Sequence, residues 1–306
     1  MKRRSIVFAG VAIAIGIATR APAQTVTALT STGTLVTFNA ATPGTITGTV
    51  PVSGLSAGDV LQAIDYRPID LQLIGVGYNS TTGIGSVYTI NLATGVATNI
   101  NTGVLTIGTG LARVTADFNP TANALRVVTS GSPNNNFRIG TGSTGALQID
   151  TALNPGSPSI RATAYSRNLP GGGVNGATTL YEIDSASGNL VSQGSIDFFT
   201  GSGTSPNTGT LSTVGALTGV SAASIVGFDI ANVAGTAGTS QGNAYLATGT
   251  SLLSLNLTTG AATSIGTIGS GLTILDIAVV PEPGTLALCG VAAASFVGYV
   301  RRRRRE

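Results

Sequence analysis

The chain contains no histidine, and its only cysteine and only lysine lie near the termini, at Cys289 and Lys2. Between Gln24 and Val280 there is therefore no imidazole base, no thiol nucleophile, no Schiff-base amine and no cysteine or histidine ligand for zinc. Glycine motifs that bind phosphate or a dinucleotide are missing as well. Carboxylates remain as the main acid and base groups, and a pair of them could in principle hydrolyse a glycosidic bond.

Charge is scarce along the whole chain. Charged residues make up 9% of the sequence, against about 25% in a typical soluble protein. Residues 24–280 carry six arginines and ten acids, a net charge of −4, so the overall charge of +3 comes from the termini. This segment lacks the basic surface that nucleic-acid binding requires. With 42% hydrophobic residues and so few charges, it can bury a core rather than remain disordered.

The N-terminus has the three parts of a secretory signal peptide. Residues 2–4 are basic, residues 6–17 are apolar, and residues 21–23 read Ala-Pro-Ala, which is a typical cleavage site. We expect residues 1–23 to direct export through the Sec machinery and to be removed.

The C-terminus has a second signal over residues 280–306. It consists of a proline-rich motif, an apolar segment over residues 285–300 and a basic cluster. The motif is Pro281, Glu282 and Pro283, and the cluster is Arg301, Arg302, Arg303, Arg304 and Arg305. The apolar segment could cross roughly 24 Å as a helix. The arginines would keep the chain end in the cytoplasm.

Together these parts resemble the PEP-CTERM sorting signal of Gram-negative bacteria. The resemblance implies a precursor held transiently in the inner membrane, an exosortase as partner, and release at the cell surface or into the medium after cleavage. The alternative is a single-pass anchor that is never cut.

Residues 24–279 contain a repeat that predicts an all-β fold. Hairpins of alternating apolar residues around Asn or Asp and Thr-Gly or Ser-Gly recur at residues 87–98, 180–188 and 253–263. A short apolar segment precedes each hairpin, and its markers are 47 to 64 residues apart. These markers are Asp65, Asp117, Tyr165, Asp229 and Asp276. Four strands in each unit of this length predict a β-propeller.

The two ends of this domain contain complementary parts of one further repeat. Residues 26–50 supply the last three strands of a blade, and residues 273–279 supply a first strand. Pairing them would close a ring of five four-stranded blades and hide both sheet edges. A right-handed β-helix or a β-sandwich is the structural alternative.

Several motifs of the domain resemble an uncharacterised family of exported bacterial domains that often carry PEP-CTERM tails. They are Asp-Phe-Asn-Pro at residues 117–120, Leu-Arg-Val-Val at 125–128, Asn-Phe-Arg-Ile at 136–139 and the hairpin at 87–95. The resemblance covers roughly residues 29–279. It implies an exported domain but no activity, because the family has no assigned function.

The repeated acids Asp65, Asp117, Asp229 and Asp276 are the first candidate site. If their strands are innermost, the carboxylates could form a ring that holds a hard cation such as Ca²⁺. The alternative, which we favour, is that each acid caps backbone amides at its blade turn. No cofactor is expected beyond this possible Ca²⁺.

Arg126 and Arg138 form a second candidate site. They flank the Asn-rich loop at residues 132–136 and could present a fork of donors to an anionic sugar. They could equally form ion pairs with Asp117 or Asp150.

The sequence thus predicts a non-enzymatic protein of the cell surface or extracellular matrix. It would be a structural component or a binding module for exopolysaccharide or surface proteins, and it would not bind nucleic acid. The alternative function is a glycan hydrolase that uses paired carboxylates.

Overall fold

The computed structural model describes residues 24–101, 103–131, 135–140, 146–232 and 241–281. The expected signal peptide over residues 1–23 lies outside the described residues. So does the sorting signal from Glu282 onward, including the apolar segment 285–300 and the arginines. Among the described residues, no helix reaches the length and hydrophobicity that crossing a membrane requires.

The described chain forms 21 β-strands and three short 3-10 helices. In chain order the strands are β1 (Thr25–Thr30), β2 (Thr34–Asn39), β3 (Ile46–Pro51), β4 (Val60–Arg67), β5 (Gln72–Asn79), β6 (Ile84–Ile90), β7 (Ala97–Asn99), β8 (Leu105–Thr106), β9 (Arg113–Asn119), β10 (Ala124–Ser130), β11 (Asn135–Gly140), β12 (Leu147–Ile149), β13 (Ile160–Tyr165), β14 (Thr178–Asp184), β15 (Asn189–Phe198), β16 (Leu211–Ala216), β17 (Ile225–Ala231), β18 (Asn243–Thr248), β19 (Ser251–Leu255), β20 (Ala262–Thr267) and β21 (Ile274–Val279). The helices are Val174–Gly176, Pro206–Thr208 and Ala222–Ser224.

These strands form five antiparallel sheets arranged as the blades of a β-propeller, so the predicted fold is confirmed. Blade 1 contains β4 to β8, blade 2 contains β9 to β12, blade 3 contains β13 to β16, and blade 4 contains β17 to β20. Blade 5 contains β21 followed by β1, β2 and β3. The first strands of the blades contact one another in the ring order β21, β4, β9, β13, β17. They line the centre, and the last strand of each blade lies outside.

The repeated hairpins fold as their sequences predict. The side-chain oxygens of Asn91, Asp184 and Asn256 each accept hydrogen bonds from the backbone N–H groups two and three residues further on. The glycine that follows has φ of 73° at Gly95, which few other residues adopt. A local side-chain bond and a permissive glycine therefore fix each turn, and the turn fixes the register of its two strands.

The N- and C-terminal strands close the ring. β1 pairs antiparallel with β21, with Val26 opposite Val279 and Ala28 opposite Ile277. The pairing continues past the strand end, where the Val280 N–H donates to the Thr25 carbonyl at 3.0 Å. The predicted clasp is therefore present in blade 5.

The apolar core is divided among the blade junctions. Large clusters of buried aliphatic and aromatic residues fill the junctions of blades 1 and 2, 3 and 4, 4 and 5, and 5 and 1. The junction of blades 2 and 3 has only a small cluster of Val128, Leu153 and Ile160, with Leu211 packed against it. That junction must be held by other interactions.

A chain truncated after Leu272 should unfold or aggregate. The truncation removes β21 and leaves the edge of β1 unpaired. It also removes Ile274 and Ile277, which are each 1% exposed. Burial of such a side chain contributes about 1.5 to 3 kcal/mol, while a domain holds only about 5 to 15 kcal/mol in total. Thermal melting and size-exclusion chromatography measure the effect.

The matched control is residues 24–281, which keep the clasp and lack only the tail. If the chain ending at Leu272 melted at the same temperature as this control, the clasp would not be needed for stability.

Candidate functional site

The repeated acids lie on the innermost strands, as their position in the repeat suggested. Asp65 is on β4, Asp117 on β9, Asp229 on β17 and Asp276 on β21. All four side chains are buried. They face the centre of the ring, where an unpaired charge is costly.

Each of these carboxylates accepts a hydrogen bond from the backbone of the next blade. Their donors are the N–H groups of Phe118 at 2.7 Å for Asp65, Tyr165 at 2.8 Å for Asp117, Val279 for Asp229, and Ile64 at 2.9 Å for Asp276. Asp65 and Asp229 also accept from the N–H group of the next residue on their own strand. The acids therefore do bind backbone amides, but within and between innermost strands rather than at their own blade turns. Each one joins two blades.

The register of these bonds separates Asp276 from the other three acids. Asp65 bonds to the residue that follows Asp117, whereas Asp229 bonds to the third residue after Asp276. Ala278 is therefore the counterpart of the other acids in blade 5. By the same reasoning Ala164, not Tyr165, is the counterpart in blade 3, because Asp117 bonds to the N–H of Tyr165.

The carboxylates consequently form a group of three at one depth rather than a ring of four. Oxygens of Asp65, Asp117 and Asp229 lie within 4.8 Å of one another. In blade 5, Ala278 is at the depth of these three acids, and Asp276 lies two residues before it on β21. The three grouped acids are the residues that could hold a hard cation, although backbone N–H groups already occupy several of their oxygen lone pairs.

Burial raises the pKa of every acid in the channel. The pKa values of Asp65 and Asp117 lie well above their usual range, because burial disfavours the charged form and neighbouring carboxylates add repulsion. Burial also raises the pKa values of Asp229 and Asp276 to about 7. At neutral pH the group therefore carries protons, which any bound cation would have to displace.

Arg113 lies four residues before Asp117 on β9 and connects the innermost strands at a second level of the channel. Its Nε donates to the carbonyl of Arg161 at 3.0 Å, and its Nη2 donates to the carbonyls of Val226 and Leu275. The pairing registers are interrupted beside all three of these residues, in blades 3, 4 and 5. Carbonyls freed at these bulges are thus satisfied by one buried guanidinium from blade 2.

The junction of blades 3 and 4, which lacks an inner acid, has an arginine instead. Nε of Arg161 donates to the carbonyl of Ile225 at 3.2 Å. Every pair of neighbouring innermost strands therefore shares at least one bond from a side chain to the backbone.

Arg126 and Arg138 lie on the face of blade 2 that meets blade 3. Arg126 is 1% exposed, and its guanidinium donates to Asn136, Asp150 and Asn207 at 2.6 to 2.8 Å. Arg138 makes a bidentate pair with the same Asp150, at 2.6 and 2.8 Å. Asp150 therefore bridges both arginines, whereas Asp117 pairs with neither. This polar network fills the junction that has the small apolar core.

Of the two arginines, only Arg138 reaches a surface cavity. Its side chain is 33% exposed. It contributes to a cavity of about 330 Å³ between blades 2 and 3, which we call the blade 2–3 pocket. Its lining includes Asn119, Arg138, Thr178, Phe198, Phe199 and Asn207. Arg126 lies behind this pocket and cannot contact a ligand directly.

No motif of the sequence marks Glu182, which is buried at the same junction. It lies on β14 with 0% exposure, and neither carboxylate oxygen has a hydrogen-bond partner among the described residues. Burial raises its pKa to about 8, although Arg126 opposes the shift. The hairpin repeat aligns Glu182 with Thr89 and Ser254, which are half-buried. The alignment does not match the structure here, because Glu182 lies on the second strand of its blade and the other two residues lie on the third strands of theirs.

Comparison with known families identifies the domain. Residues 34–278 match the family described as "Domain of unknown function (DUF4394)". The chain belongs to the DUF4394 family. The match covers most of the propeller and carries no assigned activity. No protein of curated function matches the chain.

The DUF4394 propeller is similar to several solved structures at low identity. An auxiliary nutrient binding protein from Bacteroides ovatus is 11% identical with a TM-score of 0.44, and the alignment covers 69% of this chain and 48% of that one. AofleA from Arthrobotrys oligospora is 13% identical with a TM-score of 0.44, covering 83% and 74%. A protein from Lactobacillus plantarum is 16% identical with a TM-score of 0.37, covering 82% and 70%. The chain thus spans about half the length of the Bacteroides protein.

The free energy of unfolding of the DUF4394 domain should fall as the pH rises from about 5 to about 8. A carboxyl whose pKa is higher in the folded state than in the unfolded state binds a proton more tightly when folded. The contribution of such a carboxyl group to the free energy of unfolding is fully present below about pH 4. For Asp229 and Asp276 it is lost as the pH rises past about 7. Each titrating carboxyl adds a slope of about 1.4 kcal/mol per pH unit. Urea unfolding across this range measures the slope.

The variant Asp117→Asn tests the origin of this slope. Asn keeps the oxygen that accepts from Tyr165 and removes the titrating group, so the slope should become shallower and the variant should be more stable than the wild type at about pH 8. Asp70→Asn is the control, because Asp70 is exposed and Arg67 lowers its pKa. A wild-type profile without slope, or an unchanged slope in Asp117→Asn, would contradict the assignment.

Replacing Arg113 with Met should destabilise the domain by about 3 to 5 kcal/mol. The change keeps the length of the side chain but leaves three buried carbonyls without their donor. It also removes the positive charge beside Asp276. Urea unfolding at fixed pH gives the difference.

Arg67→Met is the control for this change. It breaks an exposed ion pair with Asp70, which should cost no more than about 1 kcal/mol. Equal losses in the two variants would show that the channel bonds of Arg113 do not support the ring.

Proposed function

We propose that this DUF4394 protein is a non-enzymatic propeller of the cell surface or extracellular matrix, which acts as a structural component or a binding module. It is exported by its N-terminal signal and sorted by its PEP-CTERM-like tail through an exosortase. The inner membrane holds the precursor only until the tail is cut. Its partners are exopolysaccharide or other surface proteins.

The observation that carries this proposal is the use of the channel acids. Asp65, Asp117, Asp229 and Asp276 all accept backbone N–H groups of a neighbouring blade and are buried. A catalytic carboxylate must be within reach of a substrate. These acids are instead engaged in joining the blades, which favours a structural role for the repeat.

The surface cavities favour binding over glycan hydrolysis. A glycosidase needs two carboxyl groups about 5 to 9.5 Å apart on either side of the scissile bond. Two surface cavities are each lined by a single acid, Asp59 or Asp184, and two others, including the cavity beside Arg138, are lined by none. Asp184 is already engaged in capping its hairpin turn.

Mass spectrometry of the released protein tests the proposal. In a host with an exosortase, the mature protein should lack Met1 to Ala23 and the residues after the Pro-Glu-Pro motif, and it should be found outside the cell. Glu282→Ala changes the motif without touching the described propeller, so this variant should stay in the membrane fraction with its arginine tail.

Two results would contradict the proposal. An arginine tail retained on wild-type protein at its final location would make the segment a plain membrane anchor. Release of reducing ends from a polysaccharide, lost when two acids are replaced, would make the protein a hydrolase.

A further inference from the structure

The blade 2–3 pocket combines residues from two blades and a long connection. Asn119 is the last residue of β9, Arg138 lies on β11, and Thr178 lies on β14. Phe198, Phe199 and Asn207 come from the end of β15 and the connection to β16. Its volume of about 330 Å³ lies at the lower end of the about 300 to 1,000 Å³ typical of small-molecule sites. It therefore fits one small group of a larger chain.

Hydrogen bonds orient two asparagine side chains at the pocket so that their NH₂ groups make no hydrogen bond to the described residues. The Asn119 Oδ1 accepts from the N–H groups of Thr121 and Ala122. The Asn207 Oδ1 accepts from the Arg126 guanidinium at 2.8 Å. Since each oxygen is occupied, each amide has its donor group left for a ligand. Neither Nδ2 has an acceptor among the described residues.

The pocket also has excess positive charge. Arg138 uses Nε and Nη2 on Asp150, which leaves Nη1 without an acceptor among the described residues. Asp150 is shared with Arg126, and burial raises the pKa of Glu182, the other carboxyl group at this junction, to about 8, so at neutral pH two guanidiniums are balanced mainly by one carboxylate. No acid lines the pocket. Donor groups without competing carboxylates favour an anionic acceptor.

Two half-buried aromatic side chains complete the lining. Phe198 lies opposite Thr178 in the pairing of β15 and β14, and Phe199 follows it. An aromatic ring offers a flat apolar surface on which the C–H face of a sugar can pack. Inorganic phosphate has no such apolar face, so it would leave these side chains unused.

We propose that the blade 2–3 pocket binds a carboxylated sugar unit, a uronic acid residue of an acidic polysaccharide. The carboxylate contacts Arg138, the hydroxyls accept from Asn119 and Asn207, and the sugar ring packs on the phenylalanines. This inference rests on the proposed function as a surface binding protein and names its ligand class.

Titration calorimetry on the secreted mature protein tests the proposal with an oligomer of galacturonic acid and the matching oligomer of galactose. The acidic oligomer should bind, and its affinity should fall as salt is added. The galactose oligomer should bind at least roughly tenfold more weakly, because it lacks the carboxylate that Arg138 recognises. Inorganic phosphate alone should not compete.

Asn119→Asp is the decisive variant. Aspartate keeps the oxygen that caps the turn but brings a negative charge into the pocket, so the affinity for the acidic oligomer should fall at least roughly tenfold. Asn91→Asp is the matched control: it makes the same charge change in a turn of blade 1 that has the same hydrogen-bond pattern, and it should leave binding unchanged. Arg138→Gln should weaken binding, while Arg126 still pairs with Asp150 and preserves the fold.

Three outcomes would overturn the proposal: equal affinity for the two oligomers, competition by inorganic phosphate at the same affinity, or equal effects of Asn119→Asp and Asn91→Asp. Each can occur while the protein is still exported and trimmed, so failure here is distinguishable from failure of the proposed function. Conversely, a retained arginine tail would contradict the sorting route and leave the binding measurement intact.

Discussion

The ring depends on hydrogen bonds that run from side chains of one innermost strand to the backbone of the next. The blades share no continuous backbone ladder, and the direct backbone bonds between them, such as those of Thr218 with Gly260 and Ala262, join connections rather than innermost strands. Here the inner acids accept N–H groups, and Arg113 and Arg161 donate to carbonyls. Because both kinds of side chain bond to backbone, these joints fix the position of each blade along the channel as well as its distance from its neighbour.

The ring contains buried charged groups both in the channel and at the junction of blades 2 and 3. Their consequences differ between the two places. In the channel the acids repel one another and keep protons, so stability depends on pH. At the junction, Asp150 neutralises one of two arginines, burial keeps Glu182 largely protonated, and the apolar cluster is small. The part of the ring with the least apolar packing is therefore also the part with positive charge to offer a ligand.

The fold could be predicted from the sequence because each hairpin of the repeat is determined by residues that are close together in the chain. Turn residues such as Asn91 and Gly95 fix each hairpin within a few positions, and the partial repeats at the two ends can pair in only one way. The site was less predictable because it depends on register between distant strands. A shift of two residues separates Asp276 from Asp229, and the carbonyls that Arg113 binds come from three other blades. No spacing in the sequence records either relationship.

The clasp also explains how the domain could lose its tail without loss of fold. The last bonds of blade 5 join the Val280 N–H to Thr25, and the Gln24 side chain to the Val280 carbonyl at 3.1 Å. Both precede Glu282, so cleavage after the motif would leave every described contact of the clasp in place. Removal of residues 1–23 likewise stops just before Gln24. Under the proposed processing, the two cuts fall just outside the strands of blade 5, and the released domain keeps a closed ring of five complete blades.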